Sequence, residues 1–337
     1  MIGRRGAAAT LLCVTAVGAS WAGGVAAGVR AVLAGELRFS AQDFADLEQG
    51  KTVTHTLHGG TGEIAVVGAV RVRAPKARLL ERVRDVATFK RGPDILQIGT
   101  FSAPPVEADL APLIVEAGDF DVRACRVHDC DVRLPADAIT RIAAIDANDA
   151  QAQAAGAALL KHMIFEQVSA YVSGRPGRFT QYDDGDPPIR PLDAFAALLG
   201  RARALDDLVP GLRAHLREFP AAPVAGAEEL LYWSKEKFGM DPFITVTHMT
   251  IVCPSSVLCV VASKDVYSTR YIDASLSLTI ASDVPQSADA FDLIYVNRTR
   301  AHALTGFMSG LRRTIAERRA RNGLDERLNT TRAMLER

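Results

Sequence analysis

Hydrophobic and polar positions change period repeatedly along the chain, and each change marks a change of element. After Ser40, which suits a helix N-cap, Phe44 and Leu47 predict a short amphipathic helix ending at Gly50. Lys51 to His58 alternates, Gly59 to Gly62 reads as a turn, and Glu63 to Arg73 predicts a strong strand. Ala74-Pro75 ends that strand and opens a helix with an apolar stripe of Leu79, Leu80, Val83 and Val86. Asp94 to Phe101 is extended again, and Asp119 to Arg126 reads as extended beyond the Pro104-Pro105 break. The middle of the chain then turns Ala-rich and helical. Ala157, Leu160, Ile164, Val168 and Tyr171 trace one helix face, and a second helical block spans Leu192 to Phe219. We read about 136–225 as a helical insertion, because extended segments on both sides must pair across it.

The last third reverts to strands. Phe243 to Val252, Leu258 to Ile272, Asp273 to Ala281 and Phe291 to Arg298 are four extended runs with turns between them. Consecutive strands without intervening helices predict an antiparallel meander. After Thr299 a long helix is expected, with Leu304, Phe307, Met308, Leu311 and Ile315 on one face. The expected class is therefore α+β: an antiparallel sheet wrapped around a long C-terminal helix, with a helical insertion.

The N-terminus adds an address. Arg4 and Arg5 precede an uncharged run from Gly6 to Val29 whose apolar heart is Ala7 to Val17, the layout of a secretory signal. Residues 1–27 are read as a signal peptide, with an uncleaved anchor as the alternative, and 36–337 as one domain. A periplasmic or secreted location follows. Export changes the meaning of the cysteines. Beyond Cys13 there are four, in two close pairs, Cys125 with Cys130 and Cys253 with Cys259. Local disulfides are the simplest reading in an oxidising compartment. A metal site using His128 as an extra ligand is the rival.

Charge removes one function class. The 337 residues hold 39 Lys and Arg against 39 Asp and Glu, so no basic field draws nucleic acid. No nucleophile elbow, zinc-protease helix, phosphate loop or dinucleotide fingerprint occurs, and no cofactor, metal or catalytic residue is assigned.

Two segments carry a resemblance. Gly62-Glu-Ile-Ala-Val-Val-Gly-Ala-Val-Arg-Val-Arg-Ala-Pro-Lys-Ala-Arg-Leu-Leu looks like the opening strand and first helix of the START-like (helix-grip, SRPBCC) superfamily. Tyr295-Val-Asn-Arg-Thr-Arg, leading into Gly306-Phe-Met-Ser-Gly, is similar to the last strand and helix of that fold. The resemblance spans 52–102 and 228–330. Tyr232 to Gly239 and the cysteine segment also resemble parts of exported bacterial proteins without an assigned activity. The superfamily implies a ligand held between the sheet and the last helix. Its implied function is an exported carrier or binding protein for a hydrophobic small molecule or lipid.

Candidate ligand-binding residues are Tyr232 and Trp233, which could roof a cavity, and His248 on an apolar strand face. Tyr267, Thr269 and Tyr271 join them, in phase with Asp273 if 265–273 is a strand. An enzyme would draw on His248, Tyr267, Tyr271 and Asp273. A third reading is an interaction protein that uses the insertion to dock an envelope partner. A carrier needs open space between sheet and helix, an enzyme needs converging polar groups, and an interaction protein needs neither.

Overall fold

The computed structural model describes residues 27–337 except 176, 239, 286, 288 and 306–308. The leader read at 1–27 lies outside the described residues but for its last position. Helix α1 (residues 27–34) leads to α2 (Ala41–Glu48), whose N-terminus is closed by a capping box between Ser40 and Asp43.

Eight strands form one antiparallel sheet in the order β1-β2-β8-β7-β6-β5-β4-β3. They are β1 (Val53–Thr56), β2 (Glu63–Val72), β3 (Ile95–Thr100), β4 (Glu228–Glu236), β5 (Phe243–Ser255), β6 (Leu258–Ser268), β7 (Ala274–Asp283) and β8 (Phe291–Arg300). The long-range closure is between β2 and β8, which pair from Glu63 opposite Arg300 to Val72 opposite Phe291. Helices α3 (Lys76–Arg84) and α4 (Val86–Phe89) follow β2. Between β3 and β4 the chain makes its excursion. Loops and a short 3-10 turn at Val122–Ala124 precede α5 (Ala136–Ala143), α6 (Ala152–Val172), α7 (Pro191–Leu199), α8 (Leu205–Leu208) and α9 (Leu212–Glu218). The extended run expected at 119–126 is therefore largely loop. Strand β4 begins at Glu228, just beyond the helical insertion read at about 136–225, and is a full member of the sheet.

Strand alternation sends side chains to two faces. On one face Ala65, Val67, Ala69, Val260, Ala262, Leu276, Leu278, Ile280 and Val296 form a core with α1, α2 and α7–α9. On the other, Val66, Val70, Val72, Ile251, Val261, Phe291 and Leu293 pack with α3, α4 and the C-terminal helix α10 (Ser309–Leu335). We call these the α7 face and the α10 face. The excursion has its own core, built on Phe120, Leu134, Ile139, Leu160 and Ile164, which joins the sheet at Trp233, Ile244, Val246 and Tyr267.

The C-terminal helix seats itself differently from the sequence expectation. Its buried side chains are Leu324, Leu328 and Leu335, in the charged-looking second half. Leu311 and Ile315, expected on the buried face, are 57% and 46% exposed. Phe307 and Met308 lie outside the described residues. The apolar spacing at 304–315 suggested the seam, but the leucines at 324, 328 and 335 are what β2 receives. Gly68 marks the contact: a Cβ there would come within 2.6 Å of Leu328 and 3.1 Å of Leu324. Thr52 donates to Asn329 at 2.8 Å and Arg332 to the Gly50 carbonyl at 2.7 Å, which fixes the helix over β1 and β2.

Both expected disulfides are present, Cys125–Cys130 and Cys253–Cys259, with Cα atoms 4.1 and 4.0 Å apart. The second closes the β5–β6 hairpin. Each loop is short, so each bond contributes about 2 kcal/mol by chain entropy. Among the described residues no helix is long and apolar enough to cross a membrane.

Candidate functional site

The six residues singled out from sequence do not gather in one place. Tyr232 is on the α10 face, and its hydroxyl accepts from Lys90 Nζ at 2.7 Å. Its neighbour Trp233 necessarily points the other way. The indole lies across Gly99, where a Cβ would meet the ring at 2.5 Å, and Nε1 donates to the Asp109 carbonyl at 2.9 Å. Tyr267 is buried against the insertion and donates to the Arg133 carbonyl at 2.9 Å. Strand β6 ends at Ser268, so Thr269 and Tyr271 leave the strand pattern that would have aligned them with Tyr267. Thr269 Oγ1 accepts from the Ile244 N–H at 2.8 Å, and Tyr271 adopts φ 62° with its ring edge-on to Phe243. Asp273 faces Arg133 at 2.8 Å.

His248 is fully buried on the α7 face, within a tie between sheet and insertion. Its Nε2 meets Glu229 at 2.7 Å and its Nδ1 meets the Tyr171 hydroxyl at 2.8 Å. A carboxylate only accepts, so Nε2 carries the proton and Nδ1 accepts from Tyr171. Burial holds the His248 pKa below the ordinary histidine value, against the pull of Glu229. Glu229 also takes Thr250 at 2.8 Å and His215 of α9 at 3.0 Å. The group ties α6 and α9 to β4 and β5, with Glu229 at its solvent-accessible edge. His248, Tyr267, Tyr271 and Asp273, the residues an enzyme would draw on, have separate partners.

A different set comes together on the α10 face. Helix α10 covers β1 and β2, and α4 lies against β3. Between them run the central strands β6, β7 and β8. At the Phe291 end their α10-face positions are apolar and buried: Cys259, Val261, Ala281, Phe291 and Leu293. Toward the other end the same face becomes polar. Ser263 and Asp265 of β6, Ser277 and Thr279 of β7, and Tyr295, Asn297 and Thr299 of β8 are all only half-buried. Their alternate neighbours Lys264, Leu276, Leu278, Ile280, Val296 and Arg298 are buried on the α7 face. An antiparallel sheet can leave part of one face to solvent, and these half-buried positions mark the strip that α10 and α4 leave uncovered; we call it the cleft.

The cleft floor is an ordered polar surface. Asp265 accepts from the Thr247 hydroxyl at 2.9 Å and from Ser275. Burial pushes the Asp265 carboxyl up to about 7, against the hydrogen bonds that would lower it. Ser234 meets Thr245 at 2.9 Å and also donates to Glu236. Burial disfavours the Lys90 ammonium, but Tyr232 and Glu236 outweigh it and hold the group charged. Such a floor offers hydroxyls that donate or accept, one carboxyl poised between its two forms, and one cation. Sequence reasoning missed it. Its signal was the alternation Ser275-Leu-Ser-Leu-Thr-Ile280, which prescribes one closed face and one open face.

Both cysteine pairs are consumed by disulfides, which removes them as ligands for a metal with His128. Among the described residues no group of three or more His, Cys, Asp or Glu is arranged to hold a metal ion. No family model, no curated protein and no solved structure matches the chain.

Proposed function

We propose that the protein is an exported carrier or binding protein of the helix-grip, START-like type, with its ligand in the cleft between the sheet and α10. The order of elements supports the architecture. A first long strand, β2, leads into short helices, and the final strand, β8, runs beside it and leads into the last helix. The leader-like N-terminus and the two disulfides support export.

The observation that carries the reading is the half-buried floor of Ser263, Asp265, Ser277, Thr279 and Asn297 in the middle of an otherwise covered sheet. It also refines the ligand. A purely hydrocarbon ligand would cut the hydroxyls of Ser263, Ser277 and Thr279 off from water, which costs about 1–3 kcal/mol for each group left unpaired. An amphipathic molecule fits better. Its polar end hydrogen-bonds to the floor, and its apolar part lies toward Tyr232, Met249, Tyr295 and Ala320. No bond is made or broken in this role. Native mass spectrometry of protein purified from the periplasm, followed by solvent extraction, tests it. The expected result is a stoichiometric small molecule or lipid with a polar head. Protein that carries nothing and takes up no amphipathic lipid from vesicles contradicts the carrier reading and favours an interaction protein.

A further inference from the structure

Lys264 neighbours Asp265 in sequence but projects from the opposite side of β6, away from the cleft. It is 6% exposed. Its Nζ donates to the Leu216 carbonyl of α9 at 2.9 Å, and it stands 4.5 Å from the Phe195 ring centroid and 5.2 Å from that of Tyr171. Among the described residues no carboxylate pairs with it, whereas the other buried cations are paired: Lys235 with Asp119 at 2.8 Å, Arg298 with Glu63 at 2.8 Å and Arg133 with Asp273 at 2.8 Å. An ammonium has three donors, and the lone carbonyl uses one. Burying a cation without a counter-charge costs several kcal/mol, which an apolar side chain of similar length would avoid.

The same lysine lines a cavity of about 50 Å³ between α6, α7 and the β6–β7 pair, with Gln167, Tyr171, Phe195, Asp265, Tyr267 and Asp273 in its wall. Asp273 does not serve as the missing counter-charge, because it faces Arg133. Gln167 accepts from the Phe179 N–H through Oε1, which leaves its amide N–H groups to donate. Aromatic walls, one cation without a paired carboxylate and a donor amide make a receptor for a small anion with an apolar tail. The volume admits only a few non-hydrogen atoms.

We propose that this cavity binds a small monocarboxylate, whose oxygens take the unused donors of Lys264. The site opens on the opposite face of the sheet from the cleft, and Asp265 of the cleft floor also contributes to its wall.

Charge state gives the proposal a second handle. Burial lowers the Lys264 pKa to about 8, and a bound carboxylate needs the protonated form. The other titratable groups that face this region are Tyr171 from α6, Tyr182 from the loop before α7, Asp265 and Tyr267 from β6, Asp273 before β7, His215 from α9 and His248 from β5; Asp265, raised to about 7, adds a negative charge above that pH. His248 and His215 are bonded to Glu229. Helix α7 contributes Phe195, which does not titrate.

The test is titration of the full chain with sodium acetate at constant ionic strength set by sodium chloride, followed by amide NMR, with acetamide as the neutral isostere. Saturable shifts clustered at 263–266 and 192–196 are expected for acetate and not for acetamide. Affinity should fall about tenfold for each pH unit above about 8. Lys264→Met, which removes the charge at similar length, should weaken acetate by about tenfold or more. Any of three results overturns the proposal: no saturable acetate shift at these amides, acetamide binding as well as acetate, or acetate binding unchanged in a folded Lys264→Met protein. If that variant does not fold, the acetamide and pH comparisons decide alone.

Discussion

On the α7 face of the central strands, Leu276, Leu278, Ile280 and Val296 are sealed beneath α7–α9. On the α10 face of the same strands, Ser277, Thr279, Tyr295 and Asn297 keep contact with solvent. One backbone, read at alternate residues, thus serves as a closed core on one side and an open floor on the other. The insertion is what makes the closed side possible. It supplies the helices that cover the α7 face and leaves the α10 face to α3, α4 and α10, which do not reach its centre. The polar groups follow the same division. On the α7 face the buried His248 and Thr250 are satisfied by Tyr171 and by Glu229 at the edge of the sheet. On the α10 face hydroxyls and Asp265 present unused capacity toward the cleft.

Neighbouring residues give the largest contrast. Leu276→Ala removes a buried side chain from the closed face and should cost about 2–5 kcal/mol of unfolding free energy. Ser277→Ala, the next residue but on the open floor, should change it by about 0.5 kcal/mol or less. Equilibrium denaturation of both variants checks this, and equal costs would break the distinction between the faces.

Asp265 sharpens the comparison through pH. Its folded pKa, about 7, lies above the ordinary carboxyl value of 3.8. The unfolded chain therefore gives up this proton first, and the native state loses stability as pH rises from about 4 to about 7. Asp265→Asn abolishes that loss. The variant should match the parent near pH 4 and be more stable at pH 8 by about 1–2 kcal/mol, discounted because the carboxyl is half-buried. Thermal unfolding at several pH values measures it. A difference that does not vary with pH would mean that Asp265 is ionised throughout.

Much of this arrangement was legible in the chain. The β2 run, the short helices after it, the meander of β5–β8 and both disulfides follow from alternation, Pro and Gly placement and close cysteine pairs. Strand β4 was hidden because Glu228 to Glu236 follows helix-like sequence, and pairing with β3 and β5 selects its extended form. The seam of α10 was misplaced because Leu311 and Ile315 have helical spacing, yet β2 offers Gly68 only to Leu324 and Leu328. The candidate site was sought among aromatic residues at 267–271, where the chain bends out of the sheet. The open floor is made largely of small polar residues, Ser263, Ser277, Thr279, Asn297 and Thr299, which announce little unless the strand's two faces are read separately.

The central claim is that the floor of β6–β8 holds the ligand. Ser277→Trp places a large ring in the cleft while leaving the α7 face untouched. Molecules extracted from the parent protein are added back to both proteins and binding is followed by native mass spectrometry, with thermal unfolding to confirm the fold. The account predicts that Ser277→Trp loses affinity about tenfold or more while remaining folded. Undiminished binding by the folded variant would contradict it.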